Sequence, residues 1–217
     1  MKKRALSLLM SLVMLVSMLP TTAWAADETE TKTPPTVKVD FTAQAAGAFL
    51  IAPQFDVEVS SDEAEKFGYT DSVKGVSALD VLVKAHEIKY GDAFTSETKD
   101  GYLVVPDSGF VTKLFGIETT ANGFVLNGGY PNDGTDSPYG YGYNGTTVKT
   151  QAVSNRDRVE FFCYQDRNNW GDEVAWFCQN GGAVDHITVK PSGELKLTLK
   201  SVGYMSGCLY KDPETLH

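Results

Sequence analysis

Four tyrosines, Tyr130, Tyr139, Tyr141 and Tyr143, crowd one stretch of the chain beside Asn144 and Gly128, Gly129, Gly134, Gly140, Gly142 and Gly145. A tyrosine ring offers a flat apolar face and a hydroxyl at small entropic cost. That suits stacking on a sugar ring or contact with a protein. Tyr130, Tyr139, Tyr141, Tyr143 and Asn144 are therefore the candidate ligand-binding residues. The competing reading folds this loop over its own sheet, buries the rings and leaves the glycines to supply turns. Asn132, Asp133 and Asp136 share the loop, but their spacing is not that of a known calcium loop.

Catalytic chemistry finds less to work with. The histidines are His86, His186 and His217. His86-Glu87 has no second histidine four residues on, so no zinc-protease helix is present, and no histidine pair sits at ligand spacing. His86 reads as a rim residue of a helix face. No Gly-x-Ser-x-Gly elbow, Walker loop or dinucleotide fingerprint occurs. Asp and Glu are abundant, yet the spacing of a carboxylate pair across a fold is not visible in sequence. The expectation is a protein without a catalytic group, metal or resident cofactor.

Cys163, Cys178 and Cys208 make an odd count, far below that of a disulfide-rich scaffold. If 158–164 and 172–179 form a hairpin turning about Trp170-Gly171, Cys163 and Cys178 fall opposite one another. A bridge there would contribute about 3 kcal/mol in the chain-entropy estimate. The alternative is two buried thiols, because directly opposed strand positions often have poor disulfide geometry. Cys208 is left over in either case.

The first residues narrow the setting in which such chemistry would operate. Lys2, Lys3 and Arg4 precede an apolar run from Leu6 to Leu19, and Ala23-Trp24-Ala25 follows. This is the pattern of a secretory signal peptide over 1–25, with an apolar core shorter than the roughly 20 residues of a permanent span. No later run is long and apolar enough to cross a membrane. The expected product is secreted or extracellular, with cell-surface association open. The chain carries a formal charge of -9, and losing the three leading cations makes the remainder more acidic. Such a surface repels phosphate backbones and excludes nucleic acid as a partner.

The elements that must position these residues read clearly in places. Residues 26–35 form a polar, Pro-terminated leader. Thr36 to Phe41 alternates as a half-buried strand. Ala48 to Ala52 and Phe55 to Val59 follow as two strands or one bent strand, with Phe55, Val57 and Val59 on the core face. A short helical turn, Asp62 to Phe67, closes at Gly68. The best helix spans 77–90: Ser77 caps it, Asp80 completes a capping box, Val76 and Val81 form a staple, and Gly91 stops it. Asp80, Lys84 and Glu87 make its polar stripe. After Gly101 the chain reads as strands: 102–105, 110–117, 123–127, 146–148, 158–164, 172–179, 186–190 and 195–200. The order is that of an α+β fold, mainly antiparallel, with one substantial helix packed on the sheet.

The chain also resembles the transcobalamin C-terminal-like domain of secreted and surface proteins of Gram-positive bacteria. The matching residues are Val76-Ser77-Ala78-Leu79-Asp80-Val81-Leu82, Ser108-Gly109-Phe110-Val111, Gly116-Ile117, and Gly123-Phe124-Val125-Leu126-Asn127-Gly128. Tyr143-Asn144-Gly145 and Asp157-Arg158-Val159-Glu160-Phe161 complete the set. Arg156 stands where the family's Gly-Asp corner has its glycine. The resemblance implies a β-grasp-like domain over 36–182, and cobalamin or another corrinoid as a possible ligand by family analogy alone. The tail over 183–217 reads as a β extension or a truncated immunoglobulin-like module. Together these point to a secreted or surface-associated bacterial binding module without catalytic activity. Its partners would be a small molecule, a glycan or a cell-surface protein. The alternatives are a corrinoid or glycan receptor, a structural or adhesive segment of a larger surface assembly, and a carbohydrate-active enzyme.

Overall fold

Apolar alternation after Pro35 builds a hairpin of β1 (Thr36–Ala45) and β2 (Ala48–Ser60). The computed structural model describes residues 33–119, 121–127, 146–166, 171–179, 182–183, 187–189, 191 and 193–203. In β1 the buried residues Val39, Phe41 and Ala43 fall two apart, on one face. Ala46 and Gly47 join the strands with φ of 57° and 69°, the two left-handed residues of a tight hairpin turn. β2 is one strand that passes through Pro53-Gln54, with register shifts against β1. Asp56 takes φ of 50° there, and its N–H donates to Asp40 Oδ1 at 2.7 Å. This break in the alternation turns Phe55 outward, so it is 46% exposed rather than on the core face, whereas Val59 is buried.

A short helix α1 (Glu63–Lys66) ends at Gly68, whose φ is 75°. The long helix α2 (Ala78–Tyr90) starts on Ser77 with both halves of the capping box formed, and Gly91 closes it. Its first turns are buried on every side, because a strap over 146–153 lies across the helix start. Ala78 N–H donates to Gln151 O and Leu79 N–H to Val148 O, each at 2.9 Å. Segment 146–148, expected as a strand, is the start of this strap and supplies carbonyls to amides that a helix leaves open. Asp80 is buried, bonded to Ala64 and Ser77, rather than lying on a polar stripe. Lys84 does face outward, pairing with Glu87 at 2.6 Å and Glu63 at 3.7 Å.

Segments 102–105 and 110–117 form less strand than their composition suggests. Val104 makes a single bridge to Lys113, and β3 (Lys113–Leu114) pairs with β4 (Ile117–Glu118) in a minimal hairpin. Beyond it come β5 (Asn122–Leu126), β6 (Arg158–Cys163), β7 (Glu173–Gln179), β8 (Gly182–Ala183) and β9 (Thr198–Gly203).

The main sheet has the order β2-β1-β6-β5, with β1 and β6 parallel at its centre and antiparallel strands outside. With α2 on one face, this is a β-grasp-like α+β arrangement. The core joins Val39, Phe41, Phe124, Val159 and Phe161 of the sheet to Leu79, Leu82 and Val83 of α2. The opposite face carries Val125, Phe162 and Tyr164, which pack against Trp176 and Cys178 of β7. β7 is the middle strand of a second sheet, β8-β7-β9, in which β9 is the one strand described after 183; residues 187–189, expected in a strand, form none.

This arrangement corrects the expected hairpin between β6 and β7. Both edges of β6 are filled, by β1 in parallel and by β5 in antiparallel. β7 therefore stacks on the sheet instead of joining it. Cys163 and Cys178 lie in different sheets and no disulfide joins them.

One corner bears on the family pattern. Arg156, in the place of the expected glycine, takes φ of 70°, a conformation that costs a residue with a Cβ about 1–2 kcal/mol. Its N–H donates to Lys38 O at 2.6 Å. The neighbouring Asp157 accepts from Ser154 N–H at 2.7 Å and from Asn127 Nδ2 at 2.8 Å. The corner thus holds a left-handed residue with a side chain under strain. Arg156→Gly is expected to raise stability by about 0.5–1 kcal/mol, the relieved strain less the added freedom of glycine in the unfolded chain. Urea unfolding of the two proteins measures this; a loss of stability would show that Arg156 is held by contacts that outweigh its backbone cost.

Candidate functional site

A cavity of about 160 Å³ opens where three separate segments meet. The β1–β2 turn supplies residues 44–47, the end of β6 supplies 160–165, and the start of β7 supplies Asp172, Glu173 and Ala175. Strand alternation places Glu160, Phe162 and Tyr164 on the face away from α2. The stacking of β7 over that face leaves a gap beside the turn, and polar groups converge on it: Gln44, Gln165 and three carboxylates.

Each carboxylate is anchored. Glu160 is buried and pairs directly with the Arg158 guanidinium two residues earlier on the same strand face. A buried charge needs such a partner, and breaking the pair from one side strands the other charge. Asp172 Oδ2 accepts from the N–H groups of Gln165, at 2.5 Å, and Asp166, at 2.9 Å, which ties the loop after β6 to the start of β7. Glu173 Oε2 accepts from the Ser201 hydroxyl at 2.7 Å. The side chains are acceptors held in fixed orientations by neighbouring strands. Beside them, Thr42 stands opposite Glu160 in the register, and its Oγ1 is buried without a hydrogen-bond partner among the described residues.

Cys163 lines this cavity, while Cys178 packs beneath it with Trp176. The candidate ligand residues Tyr130, Tyr139, Tyr141, Tyr143 and Asn144 lie outside the described residues, as do Asn132, Asp133, Asp136, Cys208, His186 and His217. Among the described residues no group of three or more His, Cys, Asp or Glu is arranged to hold a metal ion. No helix among them is long and apolar enough to cross a membrane.

His86 is wholly buried rather than on a helix rim. Its Nε2 accepts the Phe115 N–H at 3.0 Å, so the ring proton sits on Nδ1, which donates to Leu82 O at 2.8 Å. Phe115 stacks on the imidazole with ring centres 4.0 Å apart, and Phe94 and Tyr90 complete the cage. Burial pushes its pKa down from 6.5 to about 4. The residue joins α2 to the β3–β4 hairpin and takes no part in the cavity.

Sequence reading missed Gln44, Glu160, Gln165, Asp172 and Glu173 as a set. One signal was available: Arg158 and Glu160 share a face of a strand that is otherwise apolar, which marks a paired charge on a covered surface. Comparison with known proteins found no matching family model, no matching curated protein and no matching solved structure.

Proposed function

We propose that this chain is a secreted or surface-associated bacterial binding module without catalytic activity, and that the cavity at the end of β6 holds a small polar ligand. The observation that carries the reading is the convergence of anchored acceptors on one cavity, with Phe162 and Tyr164 at its wall. Fixed acceptors beside aromatic surface recognise hydroxyl or amino groups at little ordering cost. The export setting rests on the basic head, apolar run and Ala-x-Ala exit of 1–25.

A cavity of about 160 Å³ is smaller than the roughly 300–1,000 Å³ of sites for drug-sized ligands. A sugar unit or small amine suits it better than a corrin. The corrinoid reading therefore rests on the family resemblance and the tyrosine loop, and the structural or adhesive reading on the acidic, exported character of the chain. Thermal unfolding of the full chain with glucose, glucosamine, short alkylamines and cobalamin, each at millimolar or saturating concentration, tests the proposal. A rise in melting temperature with a small hydroxylated or amino compound is expected; a rise with cobalamin alone would move the function to the tyrosine loop, and no rise with any would remove the small-ligand reading.

A second reading has its own observation, since Glu160, Asp172 and Glu173 line one cavity as a glycoside hydrolase's carboxylates do. Sugar release from polysaccharides that disappears in Glu173→Gln and Asp172→Asn would favour it over binding.

A further inference from the structure

We propose that the Phe115-Gly116 turn is an acid-operated latch: a proton on His86 Nε2 drives Phe115 off the ring and opens the β3–β4 hairpin locally, with the rest of the fold intact. Three observations converge there. The turn is strained, since Phe115 takes φ of 48° ahead of Gly116 at 80°, and a bulky side chain rarely occupies the left-handed region. Its amide is tied to a titratable group, donating to His86 Nε2 at 3.0 Å. That group is wholly buried, so a proton cannot reach Nε2 without breaking the bond.

Nε2 must be unprotonated to accept from Phe115. A second ring proton sets donor against donor, and the attraction becomes a repulsion. The charged ring has another acceptor, because the Tyr102 carbonyl is within hydrogen-bond reach of the imidazole. In the closed form that carbonyl accepts from Gly116 N–H at 2.8 Å, so taking it displaces the second anchor of the same turn. Nδ1 keeps its bond to Leu82 O, and the ring stays on α2 while the turn leaves. The ionisable groups around it are Lys89 and Tyr90 of α2, Tyr102 ahead of β3, and Lys113 and Glu118, which pair across the hairpin at 3.5 Å. Lys89 Nζ lies 5.6 Å from the Phe115 ring centre and opposes a second cation in the stack. Burial holds the pKa of the closed form at about 4, against 6.5 for the free side chain. The latch is therefore fully held above pH 6.5 and weakens as pH falls towards 4. Opening uncovers Phe94 and Phe115, both buried in the closed form, and presents that aromatic surface only in acid.

Amide hydrogen exchange of the isotope-labelled full chain, followed by NMR between pH 7 and 4 with and without low urea, tests the latch. Local opening gives the Phe115 and Gly116 amides less protection than those of Val81, Leu82 and Val83 at every pH, with little response to urea. Corrected for intrinsic rates, their protection is expected to fall about tenfold per pH unit between 6.5 and 4. His86→Gln offers the Phe115 amide an acceptor that does not titrate, and should flatten that slope. Exchange of the turn in step with α2, at the same urea dependence, would overturn the inference, because the hairpin then opens only when the whole chain unfolds. A slope that survives in His86→Gln would overturn it as well, by placing the proton elsewhere. Should that variant fail to fold, the ring-nitrogen shifts of wild-type His86 decide: protonation is expected to track the loss of Phe115 protection, and a ring that stays neutral while the turn opens would overturn the proposal.

Discussion

Asp80→Ala is expected to lower the unfolding free energy by about 3–5 kcal/mol. Asp80 is wholly buried. Its Oδ1 accepts the Ala64 N–H at 2.9 Å, tying α1 to α2, and its Oδ2 accepts the Ser77 N–H at 2.8 Å. The Ser77 hydroxyl, also at 2.8 Å from that Oδ2, stands between Asp80 and Asp71. Truncation leaves two buried amides without acceptors, at about 1–3 kcal/mol each, and dismantles the cap. Burial pushes the Asp80 carboxyl above the ordinary carboxylate range despite these bonds, so the fold keeps it for its geometry at some electrostatic cost. Asp80→Asn retains one acceptor and should fall between wild type and Asp80→Ala. Urea midpoints with an unchanged slope measure the series; a loss below about 1 kcal/mol for the alanine variant would show that water or a shifted backbone satisfies the amides.

The second large effect is a dependence of stability on pH that originates at His86. The imidazole is neutral in the folded protein, with a pKa near 4, against 6.5 for the ordinary side chain. Above pH 6.5 neither state binds the proton, and the residue contributes no pH dependence. As pH falls from 6.5 towards 4, the unfolded chain takes up a proton that the folded one refuses, so stability declines. The loss reaches about 3 kcal/mol near pH 4 and then levels as the folded state also protonates. Protonation would place a hydrogen on Nε2 against the Phe115 N–H, releasing the β3–β4 hairpin from α2. Nearby Lys89 disfavours the charged ring further. Acid unfolding sums the contributions of many groups, so the quantity to measure is the difference between wild type and His86→Gln. That difference should slope between pH 6.5 and 4; parallel curves would mean that His86 is protonated or exposed in the folded state.

Local signals carried much of this architecture. Ser77, Asp80 and Gly91 mark the ends of α2 because capping chemistry is written within three or four residues. The alternation of Val39, Phe41 and Ala43 marks β1 for the same reason. Partner choice is different. β6 is buried on both faces, which makes it central but does not say that its neighbours are β1 and β5. Parallel pairing across more than a hundred residues leaves no turn to read, so the adjacent β7 looked like its partner. Phe55 was misplaced because a left-handed Asp56 is not announced by its type. His86 looked like a rim residue because the strap and the β3–β4 hairpin that cover it come from distant sequence. The cavity shares that difficulty: Gln44, Glu160 and Asp172 meet through tertiary packing, and each alone is an ordinary strand or turn residue.

The central claim is that anchored acceptors at the end of β6 form the place where this protein meets its ligand. Amide chemical-shift mapping of the isotope-labelled protein during titration with n-butylammonium and glucose tests it most directly. The account predicts saturable shifts confined to the amides of Gln44, Gly47, Gln165, Asp172 and their immediate neighbours. Shifts that saturate elsewhere, with these amides unmoved, would contradict it.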